Sequence, residues 1–540
     1  MSRAETFDSA RSVWEAITTW AGARESRITF HLEDGEEELS LERLAEEGLP
    51  VAGFLAEHGV GPGDRVGLLG PNRPAWLRSA LGVWAAGAAL VPLPKPVHIP
   101  DRAAHAAAVE RLARAAGCRV VLVDPEHGDL AGPDLALEWD RAGKGSPPEV
   151  APAPEDPAVI QFTSGSTAAP RGARITHGAA LHAMRVWARW NHTGPGDRIH
   201  AWLPLFHDWG LFGCVGAILA GAHRHLLPTE RFARDPGLWL RLATEGEATY
   251  LEAPPSAWGV ALRSRSKDRI DLSGVRRCVL AGEAVDPRLI DRLRERGAGI
   301  GLPPVSIGVA YGLAEATMGV TATRLDGPPR VDAVDPAALA GGTAEPNREG
   351  RAKRIVSCGE PYAGLEVRIA GDGEVMGERS VGDVEVRGPS VMAGYEGSDE
   401  DPFVDGWLRT GDLGYLAGGE LYVTGRSKDV IIVLGQNHAP EDLEWAASSV
   451  PGTRAGRCAA FASPGTEGVA TLVVEPSLGT EPHSLPKEVR SAVYREVGVL
   501  PMEVLVVSPG SVPKTSSGKL RRGALREAWS EGRLPVLARD

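Results

Sequence analysis

Four short stretches hold most of the residues whose types and spacing can do chemistry. In chain order they are TSGSTAAPRG at 163–172, YGLAEAT at 311–317, LRTGDLG at 408–414 with GELYVTGRSKD at 419–429, and VPKTSSGKLRR at 512–522. In the first, Thr163, Ser164, Gly165, Ser166 and Thr167 supply hydroxyls and accessible backbone N–H groups that can wrap a polyphosphate, and Arg171 adds positive charge. The GxxxxGK[ST] spacing of a Walker loop is absent. In the second, Tyr311 and Gly312 precede Glu315, whose carboxylate is the kind of oxygen ligand a hard cation takes. In the third, Asp412 can accept two hydroxyl bonds at once, which suits a cis-diol. Lys519 in the last is a flexible ammonium on a glycine-bearing loop, suited to act as a mobile point charge. Taken singly, each stretch also reads as something plainer: a Ser/Thr/Gly turn, an ordinary loop or a solvated basic run.

Together and in this order they resemble the adenylate-forming superfamily, which includes acyl-CoA synthetases, nonribosomal peptide adenylation domains and luciferases. The first stretch resembles its phosphate-binding TSGSTGxPKG, with Ala168 in place of Gly and Arg171 in place of Lys. The second resembles YGxTE, which implies Tyr311 against adenine and Glu315 holding the magnesium that neutralises the triphosphate. Ala314 stands where that pattern has Thr, which leaves Thr317 or the loop hydroxyls to contact the α-phosphate. Likeness to TGD and GRxxD implies Asp412 and Arg426 as the ribose pair and Lys428 as an interdomain hinge. PKTxSGKxxR implies Lys519 as the lysine that reaches the attacking carboxylate and the α-phosphate. Gly282 and Glu283, after the strand-like Arg277-Cys-Val-Leu-Ala, join the expected ATP/AMP-binding set.

The branch is suggested by WLPLFHDWGL at 202–211, YGLAEAT, VSCGEP at 356–361 and GQNHAPEDLE at 435–444, which resemble fatty acyl-AMP ligases. That resemblance implies ATP- and Mg-dependent activation of a carboxylic acid, with transfer to the phosphopantetheine thiol of an acyl carrier protein or carrier domain. An acyl-CoA synthetase, an amide-forming synthetase and a non-catalytic scaffold relative are the alternatives. An inserted segment ahead of VSCG is linked to the choice of acceptor, and residues 330–354 are its candidate here. A carboxylate is already ionised near neutral pH and needs no general base, so His207 and Asp208 read as positional. His207 either lines or gates the acyl site or is a satisfied structural histidine. Trp202, Trp209 and Trp258 are candidates for the acyl tunnel or for the core.

These groups must be positioned by a scaffold of 540 residues, too long for one compact core. Runs such as 65–69, 119–123 and 277–281 alternate with Ala/Leu/Arg-rich helical segments, which argues an α/β fold. The resemblance implies a large multi-subdomain N-terminal domain, residues 1–424, and a small mobile α+β C-terminal domain, 425–540. Residues 146–157 read as a Pro-rich connector and 326–354 as loop or insertion. The runs at 80–94 and 211–222 fall short of the roughly 20 residues that span a bilayer and read as buried core helices. The N-terminus reads as an amphipathic helix rather than a secretory signal, so a cytoplasmic protein without membrane insertion is expected. A net charge of −13 gives no general reason to expect nucleic-acid binding. The five scattered cysteines read as buried small apolar groups.

Overall fold

The computed structural model describes residues 9–540 apart from 22–24, 96, 98, 100, 133, 142–144, 164–170, 265–268, 348, 372, 399, 467, 501 and 516–517. It is an α/β structure with a large domain and a small C-terminal sheet domain. The apolar runs read from the sequence become strands Arg65–Leu69, Cys118–Val123 and Arg277–Leu280. The first two lie in a six-stranded sheet, the third in a nine-stranded one. In the larger sheet Tyr250–Ala253, Arg277–Leu280 and Ile307–Tyr311 are parallel neighbours, with Tyr250 opposite Arg277 and Val279 opposite Gly308. Strands this apolar suit a sheet covered on both faces by helices.

Helices His177–Trp190 and Asp208–Leu219 provide part of that cover. The second is buried all round, as its apolar sequence requires. Gly210 within it is obligatory, because a Cβ there would stand 1.9 Å from the Pro204 carbonyl oxygen. The run at 80–94 departs from expectation: it is the end of helix Pro74–Ala85 followed by strand Ala89–Pro92. Gly87 makes the break, with φ +73 between the two elements. Residues 326–354 are also more ordered than a loop. Val331–Val334 pairs antiparallel with Lys353–Val356, and the short helix Pro336–Ala340 lies between them.

A six-stranded antiparallel sheet carries Trp407–Ala417 and Glu420–Arg426 as adjacent strands. Beyond it, a four-stranded sheet packs with helices Pro440–Ser448 and Leu485–Val497 around its own apolar core, drawn from residues 431–538. The cysteines are free; Cys118, Cys214, Cys278 and Cys458 are buried and Cys358 is partly so. Burial pushes the Cys214 thiol up to about 11 and those of Cys118, Cys358 and Cys458 up to about 12. No helix among the described residues is long and apolar enough to cross a membrane.

Candidate active site

The C-terminal ends of parallel strands in an open α/β sheet form the usual ligand crevice. Here a cleft of about 890 Å³ opens at the ends of Arg277–Leu280 and Ile307–Tyr311. Gly282, Tyr311, Gly312 and Glu315 line it from the large sheet's loops, with Arg426 and Lys428 on another wall and Lys519 from the C-terminal domain.

The nucleotide-side geometry follows from strand register. Asp412 and Arg426 are direct partners on adjacent antiparallel strands, which brings Arg426 Nε to 3.0 Å from Asp412 Oδ1. Tyr311, at the end of its own strand, donates its hydroxyl to Asp412 Oδ2 at 2.7 Å. The carboxylate is thus oriented at both oxygens, and each keeps a lone pair for a diol. Burial and the neighbouring Asp412 push the Tyr311 phenol well above its ordinary range, so it remains a donor. Asp412 raises the Arg426 guanidinium further.

Thr163 and Arg171 are paired where antiparallel strands Pro157–Thr163 and Arg171–Thr176 meet. They hold the two ends of the 164–170 stretch, so Ser164, Gly165, Ser166 and Thr167 lie outside the described residues. Arg171 pairs with Glu400 at 3.0 Å and stacks over Tyr395, 4.8 Å from its centroid. Tyr395 donates its hydroxyl to Glu315 Oε1 at 3.0 Å. Its place follows from a bridge to Ala173, and the Met392 N–H to Glu315 carbonyl bond ties the same segment to Glu315. Sequence reading missed Tyr395, which stands outside the four motifs and acquires its role by strand contact.

His207 precedes helix Asp208–Leu219, and its Nδ1 lies 2.5 Å from Asp208 Oδ1. Burial raises the Asp208 carboxyl, but the charges of His207 and Lys519 more than offset this and hold it below the ordinary carboxylate range. Lys519 is therefore close enough to act electrostatically on the His207–Asp208 pair. The loop bearing it is closed on itself: Thr515 N donates to the Lys519 carbonyl at 2.8 Å, and Lys519 N donates to Thr515 Oγ1 at 3.0 Å. Lys514 also lines the cleft, a second cation that sequence reading passed over although it lies in the same motif. Burial and then Arg457 lower its ammonium below the ordinary lysine range. Lys428, at the turn Ser427–Asp429, is lowered by burial and by Arg426.

Four candidate residues sit elsewhere or are spent. Thr317 is fully buried, held at φ +68, and donates its hydroxyl to the Ser390 carbonyl at 2.6 Å, which leaves it no reach to a phosphate. Glu283 turns from the cleft and accepts bonds from Ser256 N and Oγ, both at 3.0 Å, at the start of helix Pro255–Ala261. Of the tryptophans, Trp209 lines the cleft and donates to Glu252 at 3.2 Å, whereas Trp202 and Trp258 belong to the core, stacked on Phe232 and edge-on to Trp239. Large aromatics of that kind carry too much apolar area to be left beside water.

Residues 17–396 match the family described as AMP-binding enzyme. A putative acyl-CoA synthetase of Caulobacter vibrioides is 32% identical over 95% of this chain and 94% of its own length. The long-chain-fatty-acid–AMP ligase FadD26 of Mycobacterium marinum is 31% identical over 89% of each. A solved structure from work on the fatty acyl-adenylate ligases of E. coli and L. pneumophila matches with a TM-score of 0.90 at 28% identity, over 98% of this chain and 99% of that one.

Proposed function

Since the chain belongs to the AMP-binding enzyme family and is an acid–AMP ligase, we propose that it condenses ATP with a carboxylic acid, fatty or related, and passes the acyl group to the phosphopantetheine thiol of an acyl carrier protein or carrier domain. The observation that carries this reading is Lys519: an ammonium from the C-terminal domain shares one cleft with His207, Glu315, Tyr311 and Arg426, the last two bonded to Asp412. In this reading the domains divide at 424/425, and the small one turns about Lys428 between half-reactions.

In the first half-reaction a carboxylate oxygen forms a bond to the α-phosphorus while the bond from that phosphorus to the bridging oxygen breaks, releasing pyrophosphate. Two anions must meet, so positioning and charge neutralisation supply most of the acceleration. Asp412, fixed by Tyr311 and Arg426, takes the ribose hydroxyls. The 163–172 stretch, with Gly282 and Gly312 leaving backbone room, takes the phosphates. Lys519 stabilises charge on the attacking carboxylate and the α-phosphate, and His207 is oriented by Asp208 at the acyl side. Glu315 fits a magnesium ion: one oxygen accepts from Tyr395 and the other has no hydrogen-bond partner among the described residues. Such an ion, bound with the nucleotide, supplies charge neutralisation at the triphosphate. A cytoplasmic setting, where ATP is supplied, belongs to this reading.

Acyl-CoA synthesis differs only in the acceptor, and the Caulobacter relative is named for that activity. The test is pyrophosphate exchange over a panel of acids, followed by carrier protein, CoA and amines as acceptors for the best acid. Acid-dependent exchange with loading of carrier protein is expected. Equal or faster transfer to CoA would replace the carrier-protein assignment, and no exchange with any acid would overturn the enzyme reading.

A further inference from the structure

The acyl side of the cleft descends along one face of the nine-stranded sheet, beneath helix His177–Trp190. Alternate residues on a strand share a face, so Val279 and Arg277 line the same wall, with Tyr250 opposite Arg277 on the next strand. From Ala281 at the mouth to Arg277 is four residues, or about 13 Å of strand rise. The middle of this passage is apolar, lined by Val279, Ala310 and Met318. Its inner end is polar. Tyr250 and Arg277, both 0% exposed, close it.

That end holds an imbalance of charge. Among the described residues the Arg277 guanidinium bonds only to neutral acceptors: Asn191 Oδ1 at 3.0 Å, the Thr323 carbonyl at 2.5 Å and, at a long 3.4 Å, the Arg324 carbonyl. No carboxylate among the described residues pairs with it. The buried carboxylate on the neighbouring strand, Glu252, already pairs with the fully buried Arg224 and accepts from Trp209 Nε1. Two buried guanidiniums therefore face one carboxylate. Burial lowers the Arg277 guanidinium, as expected of a cation without a counter-ion. Beside it the buried Tyr250 hydroxyl has no acceptor for its proton among the described residues, the Trp187 indole at its oxygen being a donor. Buried charges and polar groups are normally compensated, because leaving them unpaired away from water is costly. An alkyl terminus would seal both in without compensation.

We infer that the acid activated here carries a second anionic group, a carboxylate for preference, at the end remote from the reacting carboxylate, where Arg277 and Tyr250 receive it at the floor of the passage. The substrate is then an apolar body between two polar ends. This rests on the reading of the cleft as an acid-activating site. Two of the five guanidinium N–H donors and the phenol O–H are left for the ligand.

The test compares pyrophosphate exchange with matched pairs, octanoate against octanedioate and decanoate against decanedioate, in the native protein and in Tyr250→Phe and Arg277→Met. Native protein is expected to favour the diacid of a pair by about tenfold or more in kcat/KM. Tyr250→Phe, which keeps the ring stacked on Trp187, is expected to raise KM for the diacid severalfold and leave the monoacid unchanged. Arg277→Met is expected to reverse the preference; because Arg277 also ties Asn191 to Thr323, Tyr250→Phe carries the test if that variant fails to fold. Equal or better use of the monoacid by native protein overturns the inference and leaves the proposed function standing. So does an unchanged preference in Tyr250→Phe. No exchange with any acid overturns both.

Discussion

At the scale of single residues, the proposed site works by offsetting the repulsion between two anions with fixed positive charge. In the proposed reading Lys519 contributes only where charge concentrates during attack on the α-phosphorus, so its removal should act on the rate and not on nucleotide binding. Lys519→Ala is expected to cut acid-dependent pyrophosphate release by about 100-fold or more with little change in ATP affinity; near-normal release would remove Lys519 from its role. The ribose side should behave oppositely. Asp412→Asn loses the negative charge paired with Arg426 and leaves one acceptor oxygen where Arg426 and Tyr311 use two, and is expected to weaken ATP binding by about tenfold or more, which a direct nucleotide titration reads. These residues were legible because they lie within contiguous motifs. Glu283 and Thr317 misled for a physical reason: whether a polar side chain faces a ligand or caps a helix depends on backbone direction, and Thr317 at φ +68 points its hydroxyl inward.

At the scale of elements, the C-terminal domain is tied together by one guanidinium. Arg522 meets Glu444 at 2.7 Å, Glu441 at 2.8 Å and Asp429 at 3.5 Å, with 16% of its side chain exposed. Glu444 is buried, and burial outweighs Arg522 in pushing its carboxyl above the ordinary value. Removing the guanidinium strands buried carboxylates, a loss of about 3 kcal/mol or more in comparable sites. Arg522→Leu should lower the denaturation midpoint of the protein, and an unchanged midpoint would show the network to be energetically neutral. The sequence showed Arg522 only as the end of a motif. Its partners come from the helix Pro440–Ser448 and the turn Ser427–Asp429, some 80 to 90 residues earlier. Similarly, the hairpin of 331–356 had too little periodicity to read. What orders it is tertiary: Asp332 receives the Tyr415 hydroxyl at 2.8 Å and pairs with Arg379 at 3.0 Å, and Lys353 pairs with Asp442 at 2.6 Å.

At the scale of the whole molecule, buried histidines make stability depend on pH. Burial lowers His177 to about 4 and His225 to about 4, the latter helped by the adjacent His31, and it holds His200 well below its ordinary value. His200 and His225 stack at 4.1 Å on neighbouring parallel strands, so protonating either places a cation against its neighbour in a buried site. Because their folded values lie below the unfolded 6.5, the unfolded chain takes up protons first as pH falls. Their contribution is complete above about pH 6.5 and declines below it; for His177 and His225 it is lost down to about pH 4, at roughly 1.4 kcal/mol per pH unit each. Urea melts at pH 7.5, 6 and 5 should show the decline, and His177→Asn, which keeps an acceptor for the Val13 N–H, should flatten it. Constant stability over that range would contradict the assignment.

The sequence by itself determined the family and the α/β class, because the motifs that mark the family need particular residue types at fixed local spacing. It also located strands such as Arg65–Leu69, whose buried faces demand unbroken apolar runs. Only the tertiary structure decided which tryptophan meets the cleft, that Tyr395 orients Glu315, and that Arg277 and Tyr250 lie buried side by side along the cleft wall. Those outcomes depend on register between strands 27 residues apart and on which neighbouring carboxylate is already paired, quantities that no local pattern encodes.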